Sequence, residues 1–262
     1  MIKPPYLKKI YWNDQAEPGQ ERHEYPLNTD LFKDQDFSWE FSQPITIITG
    51  ENGTGKSTLL EGIADNCGFN LSGGGQEHHG IKQRNDVESL RKALRFGWTL
   101  RVRQGFFMRA ESLYNFATHL DDLNRDEPYN YYSAVGGKSL HERSHGEAFL
   151  SVLQDRFTYK GIYILDEPEA ALSPSRQLSL LALLHEAYQQ EKTQIIIATH
   201  SPILLSFPYA QICEVQNGKI VETPYKETAH YTLYKRFLDE PEKYHDILFN
   251  EYPSHQNEKE SF

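Results

Sequence analysis

The chain has 262 residues, a mass of 30.4 kDa, and 27 basic against 37 acidic side chains, for a net charge of −10. That length suits one large α/β domain or at most two small ones, and an apolar share of 38% is enough for a core beneath a polar surface. No apolar run approaches the roughly 18 residues of a membrane span. Met1-Ile2-Lys3-Pro4-Pro5 leads into no signal h-region, and Cys67 and Cys213 cannot form a disulfide framework. The expectation is a reduced, cytoplasmic protein.

The net charge disfavours binding to a polyanion by global attraction. Locally the balance reverses. Residues 82–109 hold eight basic side chains (Lys82, Arg84, Arg91, Lys92, Arg95, Arg101, Arg103, Arg109) and two acidic ones, Asp86 and Glu88. From Glu222 to the end there are nine acidic and five basic residues. The basic stretch reads either as an ordinary solvated face or as a patch for nucleic acid or an acidic partner.

Residues 36–41 predict a short strand with Phe37, Trp39 and Phe41 alternating, and the β-branched run 45–49 predicts a buried strand. Glycines follow, then a helix over about 56–66. Residues 68–82 read as a loop, 87–96 as a helix, 98–103 as a strand and 110–123 as a helix. A Tyr-, Asn- and Gly-rich loop at 124–138 precedes a helix over 146–157, with Phe149, Leu150 and Leu153 on one stripe. A second buried strand is expected at 161–165, an amphipathic helix at 175–190 and a third buried strand at 194–198. Runs 212–215 and 219–222 flank Asn217-Gly218, the signal of a tight hairpin. Residues 228–250 read as a helical tail.

Gly50-Glu51-Asn52-Gly53-Thr54-Gly55-Lys56-Ser57-Thr58 fits G-x-x-x-x-G-K-[ST] between a strand and a helix, the Walker A context. Glycines let backbone N–H groups turn inward around phosphate oxygens, and the helix N-terminus adds partial positive charge. Lys56 is expected on the β- and γ-phosphates of ATP and Ser57 on Mg²⁺; Asn52, Gly53, Thr54, Gly55 and Thr58 complete the loop. The strand at 161–165 runs into Asp166 and Glu167, a Walker B pattern. Asp166 is expected to hold Mg²⁺, and Glu167 to polarise the attacking water.

Arg143-Ser144-His145-Gly146-Glu147 opens a helix 22 residues before Asp166. Ser144 and Gly146 could offer a hydroxyl and N–H groups to an anion. Ser144 with Glu147 equally fits a capping box. The set of motifs resembles the ATP-binding-cassette (ABC) superfamily, whose Leu-Ser-Gly-Gly-Gln signature Ser144 and Gly146 match while His145 and Glu147 depart from it. Its Ser-x-Gly-Glu form is similar to the soluble branch, related to structural-maintenance-of-chromosomes (SMC) and RecF-type ATPases. The resemblance implies an ATP-sandwiched homodimer in which Ser144 and Gly146 act in trans. It identifies residues 168–174 with the D-loop, Leu172 and Pro174 matching and Ser173 replacing Asp. It makes His200, in Thr199-His200-Ser201, the switch histidine on the γ-phosphate. It puts Gln104, after the expected strand 98–103, in the Q-loop as a metal contact. Tyr25-Pro26-Leu27, the segment 105–112 and residues 231–248 extend the similarity to short stand-alone bacterial predicted ATPases.

The implied fold is a single three-layer α/β ABC-type domain over 1–262. It would have a mostly parallel central sheet, an N-terminal antiparallel β subdomain and a short helical subdomain at about 85–157. Only 88 residues separate Lys56 from Ser144, too few for a chromosome-type coiled coil. Three functions remain open: an ATP-gated homodimeric switch for an effector protein, such as one of a defence-type module; a nucleic-acid-acting repair ATPase; and a transporter's nucleotide-binding subunit. For adenine, Trp12, Tyr25 and Phe41 are candidates, each equally readable as a core or strand-face residue.

Overall fold

A computed structural model describes residues 2–15, 23–71, 85–110, 118 and 144–250. Its centre is a six-stranded sheet made of β3 (Ile45–Thr49), β5 (Gly105–Arg109), β6 (Gly161–Asp166), β7 (Thr193–Ala198), β8 (Ala210–Gln216) and β9 (Lys219–Glu222). The strand order is β5-β6-β7-β3-β8-β9, and every pair is parallel except β8 with β9. β3, β6 and β7 are buried along their whole length. That is why they read as unbroken apolar runs rather than alternating ones.

Side chains still alternate between the two faces, and each face has its own core. Ile45, Ile47, Ile195, Ile197 and Leu165 pack with Phe149, Val152 and Leu153 of α3 (His145–Arg156) and Leu180 and Leu184 of α4 (Pro174–Gln189). Ile48, Ile164 and Ile196 pack with Leu59, Leu60 and Ile63 of α1 (Lys56–Cys67). The same core takes in a three-stranded antiparallel sheet, β2-β1-β4, built from β1 (Leu7–Trp12), β2 (Ser38–Glu40) and β4 (Leu94–Trp98). The expected three layers and N-terminal antiparallel subdomain are present.

The turn between β8 and β9 holds Asn217 at φ 50° and Gly218 at φ 77°, with Gln216 paired to Lys219. This is the hairpin the Asn-Gly pair encodes. The tail forms α6 (Ala229–Asp239) and α7 (Pro241–Asn250), separated at Glu240 before a proline. Between β7 and β8 lies the short α5 (Pro202–Leu205).

Residues 85–110 depart from expectation. α2 (Asn85–Ala93) ends earlier than the helix expected over 87–96, and residues 94–98 are strand. Residues 99–104, most of the strand expected over 98–103, are not strand; β5 begins at Gly105. The physical reason is pairing across the chain. Leu94 faces Trp12, Phe96 faces Ile10 and Trp98 faces Leu7, so β4 forms where β1 supplies partners. A helical subdomain over about 85–157 therefore does not hold as drawn, because β4 and β5 inside it belong to the two sheets. The helix expected at 110–123, the loop at 124–138 and most of the loop at 68–82 fall largely outside the described residues.

Gly105 has φ 137°, and a Cβ there would sit 1.8 Å from the Ile162 carbonyl oxygen. Gly105→Ala should therefore destabilise by more than about 1 kcal/mol, read as a lower urea midpoint with an unchanged slope.

Candidate functional site

The strand ends converge because the register is level across the sheet. Arg109 pairs with Asp166, Asp166 with Ala198, Ala198 with Ile48, and Ile48 with Cys213. The turns after β3, β6 and β7 therefore emerge side by side at the carboxyl edge, where parallel α/β sheets place ligands.

The loop after β3 is a phosphate-loop shape. Gly50, Gly53 and Gly55 have φ of 146°, 80° and 102°, values L side chains rarely adopt. Thr54 Oγ1 donates to the Glu51 carbonyl at 2.9 Å and cross-ties the turn. α1 starts on Gly55 with no acidic residue in its first turn, so nothing in the helix itself offsets its positive end. Lys56 is buried and donates to the carbonyls of Gly50 and Glu51, both at 2.7 Å. Burial pushes the Lys56 pKa down, with the Glu167 and Asp166 carboxylates opposing.

Asp166, at 4% exposure, is the buried anion of the site. Ser57 Oγ donates to its Oδ1 at 3.1 Å, and Arg109 Nε donates to its Oδ2 at 2.6 Å. Arg109 also reaches Glu61 Oε1 on α1 at 2.7 Å. Burial alone would lower the Arg109 pKa; the two carboxylates outweigh it and hold the guanidinium above its ordinary value. Ser57, Arg109, Ala110, Asp166, Glu167 and Ala170 line a cavity of about 310 Å³. Glu167 follows in a left-handed backbone at φ 50°, an uncommon state for a glutamate and one that gathers at functional sites.

His200 comes off β7 beside the phosphate loop. Its N–H donates to Glu169 Oε1 at 2.6 Å, and its Nε2 lies 3.6 Å from Glu167 Oε1. Burial, then the Lys56 charge, lowers the His200 pKa. Burial raises that of Glu169, against hydrogen bonds from His200 and Thr199. Thus Lys56, Ser57, Asp166, Glu167 and His200 come together. Asn52 and Gly53 are exposed at the loop tip, and Thr58 Oγ1 is 2.8 Å from the Tyr25 hydroxyl.

Ser144 and Gly146 lie apart from that cavity, at the start of α3 on the opposite face of the sheet from α1. The capping box closes, with the Ser144 N–H donating to Glu147 at 3.3 Å and Arg176 bridging to Glu147 at 2.8 Å. Ser144 and His145 are exposed. Gln104 is a correction. It precedes β5 instead of following a strand, and its carbonyl accepts from the Ile162 N–H at the entry edge of the sheet. That is roughly 16 Å of strand from Arg109, so Gln104 cannot reach the metal position. Arg109 and Ala110 occupy the strand end facing Asp166.

Sequence reasoning passed over Arg109, Glu61, Glu169 and His230. The i,i+4 spacing of Ser57 and Glu61 was a usable signal for Glu61. For the other three nothing local marks the role. Among the adenine candidates, Trp12 and Phe41 are core, and Tyr25 is exposed beside Thr58. In the basic stretch, Arg109 is committed to the site, Lys92 pairs with Glu88 and Arg101 donates to the Asn66 carbonyl. Lys82 and Arg84 lie outside the described residues.

A family described as an AAA domain matches residues 28–103. A second, described as an AAA domain, putative AbiEii toxin, type IV toxin–antitoxin system, matches residues 148–206. The macrolide export ATP-binding/permease protein MacB of Hahella chejuensis is 29% identical over 196 residues, covering 66% of this chain and 28% of its own length. The energy-coupling factor transporter ATP-binding protein EcfA2 of Spiroplasma kunkelii is 24% identical over 228 residues, covering 78% of this chain and 73% of its own. The solved structure of cbiO1 from Clostridium perfringens, part of the ABC transporter complex cbiONQ, is 21% identical, with 93% and 99% coverage and a TM-score of 0.47. The chain is thus similar to AAA-type domains over two separate stretches and to ATP-binding proteins of ABC transporters over most of its length. The match spans little more than a quarter of MacB, whose full activity belongs to a longer chain.

Removing Arg109 would take a guanidinium away from two buried carboxylates, Asp166 and Glu61. Arg109→Met should lower stability by about 3–5 kcal/mol, measured by urea unfolding of the nucleotide-free protein.

Proposed function

We propose that the chain binds and hydrolyses ATP with Mg²⁺ and works as an ATP-gated homodimeric switch on an effector protein in the cytoplasm. The observation that carries the reading is the cluster at the carboxyl edge: Ser57 Oγ 3.1 Å from Asp166, Glu167 next in the chain, and His200 3.6 Å from Glu167. Lys56 exchanges its loop carbonyls for β- and γ-phosphate oxygens, and the amides of residues 53–58 take the remaining phosphate oxygens. Tyr25, exposed and tied to Thr58, offers its ring to adenine.

The donors fit Mg²⁺. One hydroxyl and one carboxylate leave the remaining coordination positions to phosphate and water, as this ion prefers. Among the described residues no cluster of three or more His, Cys, Asp or Glu competes as a metal site. Ser57 and Asp166 would hold the ion, which would supply neutralising charge to the phosphates. Glu167 orients the attacking water and draws its proton, and His200 donates to the γ-phosphate.

Ser144, exposed, and Gly146, buried, stand at the N-terminus of α3 on the face of the sheet opposite α1, apart from their own loop, which supports their acting on a second copy's ATP. Both cysteines are buried, and burial pushes the Cys67 thiol up to about 12 and that of Cys213 to about 11. No helix among the described residues is long and apolar enough to cross a membrane.

A protein effector is supported by the tail. α6 buries no residue, and Leu233, Phe237, Leu238, Ile247, Leu248 and Phe249 on α6 and α7 are exposed. Beside them stand Lys235, Arg236 and Lys243 against Asp239, Glu240, Glu242 and Asp246. That near-balanced, apolar surface suits another protein rather than nucleic acid. The names of the relatives keep a transporter subunit as a second reading, in which this surface would meet a membrane partner.

Glu167→Gln should bind ATP and accumulate as a dimer while losing about 10²–10⁴-fold in turnover. Phosphate release and light scattering after gel filtration, each with and without linear duplex DNA, check this. Turnover at the wild-type rate sinks the mechanism; strong, salt-sensitive stimulation of the wild type by DNA replaces the effector with nucleic acid.

A further inference from the structure

His200 is not the last group in its hydrogen-bonded chain. His230, in the first turn of α6, lies with its Nε2 2.9 Å from His200 Nδ1 and its Nδ1 3.0 Å from Thr49 Oγ1. The two rings are 4.9 Å apart and tilted by 50°. Thr49 is fully buried at the end of β3, immediately before the phosphate loop. The chain Thr49–His230–His200 thus runs from the base of that loop to the atom facing Glu167.

We propose that His230 is a positioning residue that locks His200 in the tautomer carrying its proton on Nε2. The argument is one of polarity. Each of the two links holds a single hydrogen, so the chain has two possible directions. In one, Thr49 donates to His230 Nδ1, His230 Nε2–H donates to His200 Nδ1, and His200 Nε2–H points at Glu167 and the phosphate position. In the other, every hydrogen is reversed and the Nε2 lone pair of His200 faces a carboxylate 3.6 Å away. Anion against lone pair repels and anion against N–H attracts, so the first direction is selected. Among the described residues His200 Nε2 is buried with no hydrogen-bond partner, which leaves its N–H available for a phosphate oxygen.

The surroundings keep both rings uncharged near neutral pH, as a relay of single hydrogens requires. Burial lowers both histidines; Lys56 adds to this at His200, and His200 adds to it at His230, against Glu51, Glu167 and Glu214. α6 is itself pinned at this edge. Glu214 Oε1 of β8 accepts the Ala229 N–H at 2.9 Å, and Thr228 Oγ1 accepts from the Tyr231 N–H at 3.3 Å. Any displacement of α6 therefore carries His230 with it and releases the orientation of His200. The exposed tail helices are in this way coupled to the γ-phosphate end of the site.

The kinetic part of this inference rests on the ATPase reading; the tautomer does not. The test uses full-length wild type, His230→Ala, His230→Gln and Thr49→Val. Imidazole ¹⁵N shifts of His200 should show an Nε2–H tautomer in wild type and a mixture in His230→Ala. Turnover should fall about 10²-fold in His230→Ala, with unchanged affinity for a fluorescent ATP analogue. His230→Gln, whose amide N–H still donates to Nδ1, should recover to within about tenfold of wild type, and Thr49→Val should fall between. An Nδ1–H tautomer in wild type, undiminished turnover in His230→Ala, or equal losses in Ala and Gln overturns the proposal. If wild type hydrolyses no ATP, the functional reading fails while the ¹⁵N spectrum still decides the relay.

Discussion

A buried carboxylate at the end of a parallel strand organises this molecule. Asp166 is almost wholly removed from water, and such a charge persists only when partners surround it. Ser57 reaches it from the phosphate loop, and Arg109 reaches it from the neighbouring strand while also neutralising Glu61. Those contacts require β5, β6 and α1 to hold one alignment. A slip of one residue between β5 and β6 would turn Arg109 to the other face of the sheet. The apolar cores provide the cohesion, and the carboxylate specifies the register.

The level strand ends then do the remaining work of assembly. β7 lies between β6 and β3, so the turn carrying His200 opens between Glu167 and the phosphate loop. β8 lies on the other side of β3, and Glu214 at its end receives the first turn of α6. Groups from five elements meet along one edge although the chain separates them by more than a hundred residues. The opposite face of the sheet carries α3 and α4, so Ser144 stands apart from the loop after β3.

Strands buried on both faces, such as 45–49, 161–166 and 193–198, announce themselves as short runs rich in isoleucine, because most of their positions face a core. The segment 94–109 carries no such mark. Leu94, Phe96 and Trp98 alternate with Arg95 and Gly97 over only five residues directly after a helix, and pairing with β1 fixes them as strand. Misplacing that strand displaced Gln104 as well, since its assignment depended on a strand ending before it. Arg109 was counted as one of eight basic residues on a possible surface patch. Its partners Asp166 and Glu61 are distant in sequence, so composition could not separate a site residue from a solvated one.

By itself the sequence determined the shape of the glycine-rich loop after β3, because Gly50, Gly53 and Gly55 act through local backbone freedom within nine consecutive residues. It also determined the three central strands, the Asn217-Gly218 hairpin and the acidic pair ending the second buried run. Tertiary structure alone decided which groups face which. Only the strand order β5-β6-β7-β3-β8 brings Arg109 to Asp166, His200 to Glu167, and His230 to both His200 and Thr49. The physical reason is range. Turn and phosphate-loop preferences act over a few residues, whereas ion pairs and histidine relays depend on distances that the packed sheet sets between remote parts of the chain.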